Sequence, residues 1–133
     1  MSCSILVNTI VDIERDTMKS DACMFCKIIK GEISANIIIQ DEHAMAFRDI
    51  NPQAPSHVLI IPKDHIPSCR YLNEDNIHYL SEMALLAQKV ANKENISEDG
   101  YRWVINTGSD GGQTVDHIHL HLLGGRNMTW PPG

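Results

Sequence analysis

The segment His117-Ile-His-Leu-His-Leu-Leu123, followed by Gly124-Gly125, carries the strongest pattern in the chain. Polar and apolar side chains alternate in it, which is typical of a β-strand with one buried face. Alternate side chains of a strand point to the same face, about 7 Å apart. The three imidazoles are therefore predicted to share one face. Such a row favours metal binding, phosphate binding or proton transfer over the alternative of a coincidental polar strand face.

A glycine-rich loop leads into the histidine segment. It reads Asn106-Thr-Gly-Ser-Asp-Gly-Gly-Gln-Thr114. The backbone N–H groups of such a loop can converge on an anion. The sequence therefore predicts an anion site, suited to a phosphate group, where the loop meets the histidines.

The hydrophobic pattern of the whole chain predicts an α+β fold. Strands are expected at Asn36–Gln40, Ala44–Arg48, His57–Pro62, Tyr101–Asn106 and His117–Leu123. A short helix is expected over Cys23–Lys30, with Gly31 at its C-cap, and a long helix from its cap at Asn73 to about Asn95. The connections are mostly short, so the natural arrangement is an antiparallel five-stranded sheet covered by the long helix.

Length and charge restrict the function classes. The chain has 133 residues and a net charge of −6, which fits a single domain and argues against general nucleic-acid binding, although one small phosphate in a cleft remains compatible. No apolar run reaches the roughly 18 residues that a membrane span needs. We expect a flexible tail at residues 1–20, a single domain at residues 21–133, and a cytoplasmic location with the nucleus as an alternative.

Four motifs together resemble the histidine triad (HIT) family, and in particular its Hint branch. The histidine segment matches the family's His-φ-His-φ-His-φ-φ signature, where φ is apolar. The other three motifs are Asp49-Ile-Asn-Pro-Gln-Ala-Pro55, His57-Val-Leu-Ile-Ile-Pro-Lys63 and Trp130-Pro-Pro-Gly133. The resemblance runs from about Cys23 to the C-terminus. It implies the HIT-like fold and a homodimer in which sheets and helices join and each C-terminal tail reaches toward the partner's site.

The resemblance also implies an activity: hydrolysis of purine nucleoside 5′-phosphoramidates through a covalent nucleotidyl-His119, with acyl-adenylates as further substrates. Neutral imidazole is a good nucleophile because its ordinary pKa is about 6.5. By resemblance, His121 donates to a phosphate oxygen, His57 completes the proton network, and Thr114 stands where the family usually has Ser. The alternative is a nucleotide-binding interaction protein whose hydrolysis is incidental.

The nucleoside pocket is likewise implied by the resemblance. Asp49 matches the ribose-binding acid, and the apolar base pocket is matched by Phe25, Ile28, Ile33, Phe47 and Ile50. The phosphate and leaving group would be held by Asn106, Gly112, Gln113 and Thr114. Without the resemblance, the apolar residues would be interpreted as core and Asp49 as a turn residue.

The pair Cys23-x-x-Cys26 allows three interpretations: half of a zinc site, two buried thiols, or a redox pair. A redox pair is disfavoured because no thioredoxin-like βαβ pattern accompanies it. By resemblance, His65 and His117 complete a structural zinc site with the two cysteines. In that case His117 is a ligand and is not available for proton transfer. No catalytic metal is expected.

Overall fold

Five strands form one antiparallel sheet in the computed structural model, which describes residues 21–133. The predicted tail at residues 1–20 lies outside the described residues. The strands are β1 (Ile37–Gln40), β2 (Ala44–Arg48), β3 (Ser56–Pro62), β4 (Tyr101–Val104) and β5 (Leu120–Gly124), and the helices are α1 (Met24–Ile29), α2 (His78–Lys93), α3 (Gly108–Gly111) and a 3₁₀ turn at Cys69–Tyr71. The strand order is β1-β2-β3-β5-β4. The predicted α+β class and the five-stranded antiparallel sheet are confirmed.

The centre of the sheet is the pair β3–β5, two strands that are far apart in sequence. Ser56 pairs with Gly124, and Ile60 pairs with Leu120. Every residue of β3 is buried, as expected for a strand covered on both faces.

Helix α2 covers one face of the sheet. Its buried side chains recur at helical spacing, and they are Met83, Leu86, Ala87, Val90 and Ala91. They join the same cluster as Ile118, Leu120 and Leu122, so the apolar residues of the histidine segment share one face and that face packs against α2. The other face of the sheet is covered by α1, in a second cluster that includes Phe25, Phe47 and Leu59. None of the helices in the described part of the chain is both long enough and apolar enough to span a bilayer.

Several predicted boundaries differ from the structure, and three of the differences bear on the site. The last strand begins at Leu120 rather than His117, because the backbone N–H of Ile118 donates to the carbonyl of Ile66 at 2.6 Å and not to a sheet neighbour. The long helix begins at His78 rather than Asn73. The Asn73 side chain does cap a turn, since its oxygen accepts from the backbone N–H groups of Asp75 and Asn76, but that turn stands before the helix.

The third difference is at β4, which ends at Val104 rather than Asn106. Asn106 therefore belongs to the glycine-rich loop and is not a strand residue.

A charged pair ties the end of α2 to the sheet. Glu94 accepts two hydrogen bonds from the guanidinium of Arg48, at 2.6 and 2.9 Å, and a third from the hydroxyl of Ser56 at 2.9 Å. The Arg48 guanidinium holds the pKa of Glu94 below its usual value, with a smaller contribution from Ser56, against the effect of burial. This contact fixes the end of β2, directly before Asp49.

Candidate functional site

A cavity of about 300 Å³ opens on the sheet face that α1 covers. Its lining includes most of the residues predicted for the site, namely Phe25, Ile28, Ile33, Phe47, Asp49, Ile50, Thr114, His119 and His121. Ile50 is 99% exposed, so it stands at the rim and not in the wall. The other predicted residues, which are His57, Asn106, Gly112 and Gln113, are not part of this lining.

His119 is buried, with one ring nitrogen fixed by the backbone. Its Nδ1 lies 2.8 Å from the carbonyl oxygen of His117. A carbonyl only accepts, so Nδ1 carries the proton and Nε2 keeps its lone pair. Burial lowers the pKa of His119, partly offset by the hydrogen bond to His117. The ring is therefore neutral at neutral pH and has one basic nitrogen.

His57 and His121 form a directed pair. The backbone N–H of Gln53 donates to His57 Nδ1 at 3.0 Å, so the His57 proton must be on Nε2. That N–H donates to His121 Nδ1 at 2.9 Å, which leaves the His121 proton on its Nε2. Burial, with smaller contributions from His119 and His57, lowers the pKa of His121 to about 4. The pair is neutral and offers one N–H on a residue that lines the cavity.

Asp49 lies beside this pair at the end of β2. One of its oxygens accepts from the backbone N–H of Asn51 at 2.8 Å, and the other lies 3.5 Å from His57 Nε2. Its side chain is 18% exposed. Asp49 is therefore a turn residue, as one interpretation of the sequence held, and it also presents a carboxylate oxygen to the cavity.

The glycine-rich loop is held by hydrogen bonds of its own backbone and of the Gln113 side chain. Gln113 donates from Nε2 to the carbonyls of Pro67 and Val115 and accepts the N–H of Gly108. The N–H groups of Gly112 and Gln113 donate to the carbonyls of Ser109 and Gly108. Gly112 has a φ of +85°, a left-handed conformation that glycine adopts without strain. The loop is thereby shaped so that Thr114 and Val115 line the cavity.

A second cluster lies behind the cavity and consists of Cys23, Cys26, His65 and His117. The ligand atoms of all four side chains lie within 4.8 Å of one another. His117 Nδ1 is 3.4 Å from the sulfur of Cys23 and 3.5 Å from that of Cys26, and His65 Nδ1 is 3.3 Å from the Cys26 sulfur. A tetrahedral zinc ion, with bonds of about 2.3 Å to sulfur and about 2.05 Å to nitrogen, holds such atoms about 3.5 Å apart. The donor set and its spacing fit zinc.

The tautomer of His117 also suits a metal ligand. Its Nε2 lies 2.9 Å from the carbonyl oxygen of Pro62, so Nε2 carries the proton and the Nδ1 lone pair faces the two sulfurs. A ligating imidazole is usually oriented in this way by a hydrogen bond from its other nitrogen. His117 is fully buried, and burial lowers its pKa to about 4. The structure thus places the His117 ring in the cysteine cluster, and its carbonyl contacts the ring of His119.

Two backbone groups that orient the site were not identified from the sequence. They are the N–H of Gln53, which sets the tautomer of His57, and the carbonyl of Pro62, which sets that of His117. Both residues lie inside the motifs quoted above, but a backbone group leaves no side-chain signal. Leu59 and Val115 in the cavity wall were also missed, since each is an ordinary core residue in the sequence.

Known proteins resemble this chain over most of its length. A family model described as "Scavenger mRNA decapping enzyme C-term binding" matches residues 22–130. The chain is 53% identical over 112 residues to a 14 kDa zinc-binding protein of Zea mays, covering 83% of this chain and 87% of that protein. It is 49% identical over 109 residues to a purine nucleoside phosphoramidase of Escherichia coli strain K12, covering 82% and 92%.

The fold is also similar to solved structures. A HIT family hydrolase from Legionella pneumophila Philadelphia 1 superposes with a TM-score of 0.82 at 56% sequence identity, covering 84% of this chain and 99% of that one.

Proposed function

This chain belongs to the histidine triad (HIT) family, and from that premise we propose that it hydrolyses purine nucleoside 5′-phosphoramidates to a nucleoside monophosphate and an amine. The name of the Escherichia coli relative supports this substrate class. The observation that carries the proposal is the tautomer of His119: its Nδ1 proton is held by the His117 carbonyl, so its basic Nε2 belongs to a ring that lines the cavity.

In the proposed first step, His119 Nε2 attacks the α-phosphorus and the P–N bond breaks. The departing nitrogen takes the hydroxyl proton of Thr114, which solvent water replaces, and leaves as the amine. The His119 ring is then bonded to phosphorus through Nε2 and keeps its Nδ1 proton, so it carries a positive charge. The His117 carbonyl stabilises that charge. Splitting one displacement into two through a covalent intermediate lowers each barrier.

In the second step water attacks the nucleotidyl-His119 and releases a proton to solvent, and His119 leaves as the neutral imidazole it was at the start. His121 donates its Nε2 proton to a non-bridging phosphate oxygen in both steps. The donor is preorganised because His57 occupies the other nitrogen of His121. One well-placed donor of this kind is worth about 3–4 kcal/mol in the transition state. Acyl-adenylates fit the same two steps.

The nucleoside is proposed to bind between Asp49 and the apolar wall of the cavity. The exposed carboxylate oxygen of Asp49 accepts the ribose hydroxyls, and the base lies against Phe25, Ile28 and Phe47. Since Asn106, Gly112 and Gln113 are not in the cavity lining, we assign Gly112 and Gln113 to shaping the loop, which presents Thr114 to the phosphate. The methyl group of Thr114, absent from the family's usual Ser, narrows the space for the leaving group.

The cysteine cluster is proposed to hold a structural zinc ion. Cys23, Cys26, His65 and His117 supply four ligands, which complete a tetrahedron and leave no open position for chemistry. A bound zinc would supply folding free energy by joining α1 to the histidine segment. The name of the maize relative supports zinc as the metal.

We also propose that the protein is a two-fold homodimer. Exposed apolar side chains, which a monomer would leave in water, are present on α2 and on the edge strand β4, and include Leu85 at 55%, Trp103 at 41% and Tyr101 at 36% exposure. Light scattering is expected to give about twice the 14.9 kDa of one chain. A mass of one chain at micromolar concentration would contradict the dimer.

The test of the proposed function is to trap the intermediate. Protein mixed with a fluorogenic adenosine phosphoramidate, acid-quenched within milliseconds and analysed by mass spectrometry, should carry an adenylyl group on the peptide containing His119. Multiple turnovers at about 1 per second or faster would distinguish an enzyme from a nucleotide-binding interaction protein with incidental hydrolysis. Unmodified protein together with absent turnover would overturn the proposal.

A further inference from the structure

Phe25 joins the cysteine cluster to the cavity. It stands between Cys23 and Cys26 in sequence, and its ring lies edge-on to three others. The ring centroids are 5.8 Å from His117, 5.2 Å from His119 and 5.5 Å from Phe47. One side chain therefore contacts a residue of the cysteine cluster, the nucleophile and the cavity wall.

Helix α1 as a whole has the same double role. Met24, Phe25 and Ile28 line the cavity, while the two cysteines at its start belong to the cluster. The helix has only six residues, and isolated helices of this length are unstable in water. Its position is consequently set by what it contacts, which is the sheet on one side and the cysteine cluster at its N-terminus.

A second connection runs through the backbone of His117. Its ring is held between the two sulfurs and the Pro62 carbonyl, and its own carbonyl accepts the Nδ1 proton of His119. Fixing the ring of His117 therefore fixes the acceptor that orients the nucleophile. The cluster and the cavity share both a side chain and a peptide unit.

We propose that metal in the cysteine cluster and nucleotide in the cavity are thermodynamically linked, each raising the affinity for the other. The proposal rests on the proposed function, because it requires that the cavity bind a nucleoside monophosphate. A metal ion that pins α1 restricts Phe25 and His117 to the positions that the nucleotide needs, so the nucleotide no longer has to order them. Linkage is reciprocal: the factor by which metal strengthens nucleotide binding equals the factor by which nucleotide strengthens metal binding.

The first measurement compares AMP binding by calorimetry to zinc-loaded protein and to protein stripped with a chelator. We expect AMP to bind at least about five-fold more weakly to the stripped protein, the lower end of typical linkage factors. Near-ultraviolet circular dichroism at the same temperature establishes that the stripped protein is folded.

The second measurement starts from the zinc-loaded protein, so it does not require that the stripped form be isolated. Zinc affinity is measured by competition with a coloured chelator, with and without saturating AMP. We expect AMP to tighten zinc binding by the same factor that zinc tightens AMP binding.

Two variants sharpen the result. Phe25→Leu keeps all four ligands, so it should bind one zinc but bring the linkage factor toward one. Cys69→Ser removes a free thiol outside the cluster and should keep the factor of the unmodified protein.

An AMP affinity that is the same with and without zinc would overturn the linkage, as would protein that binds no zinc. Failure of AMP to bind either form would instead overturn the proposed function.

Discussion

The cysteine cluster and the cavity use neighbouring histidines in opposite ways. His117 donates a hydrogen bond from Nε2 to the Pro62 carbonyl, and its Nδ1 lone pair faces two sulfurs. His119 donates a hydrogen bond from Nδ1 to the His117 carbonyl, and its Nε2 remains basic. Both rings are buried and neutral. The two rings differ in which nitrogen is hydrogen-bonded to a backbone carbonyl and in which atoms lie near the remaining nitrogen. Residue type and burial alone do not distinguish the proposed metal ligand from the proposed nucleophile.

The strongest test of this comparison separates the two regions by mutation. His119→Asn should lower kcat by about 10⁴-fold or more, since it removes a covalent nucleophile, while zinc content and melting temperature stay close to those of the unmodified protein. His78→Asn, a change at an exposed histidine of α2, is the matched control. Near-normal turnover in His119→Asn would remove this residue from the mechanism.

The converse change acts on the cysteine cluster. Cys26→Ser should lose the metal and much of the stability but keep measurable turnover, because His119 remains. A metal present at about a thousand times its Kd adds about 4 kcal/mol to the free energy of unfolding, so its loss should lower the melting temperature by roughly 10 °C or more. Elemental analysis and thermal melting check both. A melting curve that is unchanged by the substitution or by chelation would show that Cys23 and Cys26 are ordinary buried thiols and not zinc ligands.

Within the cavity, Asp49 tests whether the carboxylate serves the substrate or only its turn. Asp49→Ala should raise KM for ribonucleotides by about 5- to 150-fold, corresponding to the 1–3 kcal/mol typical of a lost hydrogen-bond partner. It should also narrow the difference between ribose and 2′-deoxyribose substrates. An unchanged preference for ribose over 2′-deoxyribose would show that Asp49 serves only to stabilise its turn.

Because the cavity histidines are neutral in the folded protein, the free energy of unfolding is expected to decrease as pH falls. The folded-state pKa of His121 is about 4, below the ordinary value of 6.5, so the unfolded chain binds protons more readily between these values. The stability contribution is complete above about pH 6.5 and is lost as pH falls toward 4. Denaturant titrations of metal-stripped protein should show this decline, and His121→Asn should make it shallower. If stability falls equally steeply with pH in His121→Asn, the pH dependence arises from other groups.

The sequence predicts the fold well because the fold depends on apolar periodicity. β2 was predicted with the bounds it has, and the apolar residues Ile118, Leu120 and Leu122 share one face as the alternation indicated. The start of α2 was misplaced since Asn73 caps a local turn that the pattern cannot distinguish from the helix itself. The side chain of Gln113 is expected at the phosphate, but it hydrogen-bonds instead to backbone groups of Gly108, Pro67 and Val115.

The site was predictable in its residues and not in its hydrogen bonds. The four-residue zinc set and the positions of His119, His121 and Asp49 came from motifs, and the structure brings each set together. Which nitrogen of each imidazole carries the proton depends on backbone atoms of Pro62, Gln53 and His117. The Pro62 contact joins segments that are far apart in sequence, and the Gln53 and His117 contacts depend on the local backbone conformation, so the side-chain pattern encodes none of them.

The central place of β5 in the sheet has a consequence for how the protein forms. β5 is the last of the five strands in chain order, yet it lies between β3 and β4, and it pairs with a strand more than sixty positions earlier. Contacts between such distant segments form slowly, because a long loop must close first. During synthesis, Cys23 and Cys26 therefore emerge well before His117. The cysteine cluster and the cavity are completed together when the histidine segment pairs with β3, so the proposed zinc site and the proposed nucleophile would form in one late folding event.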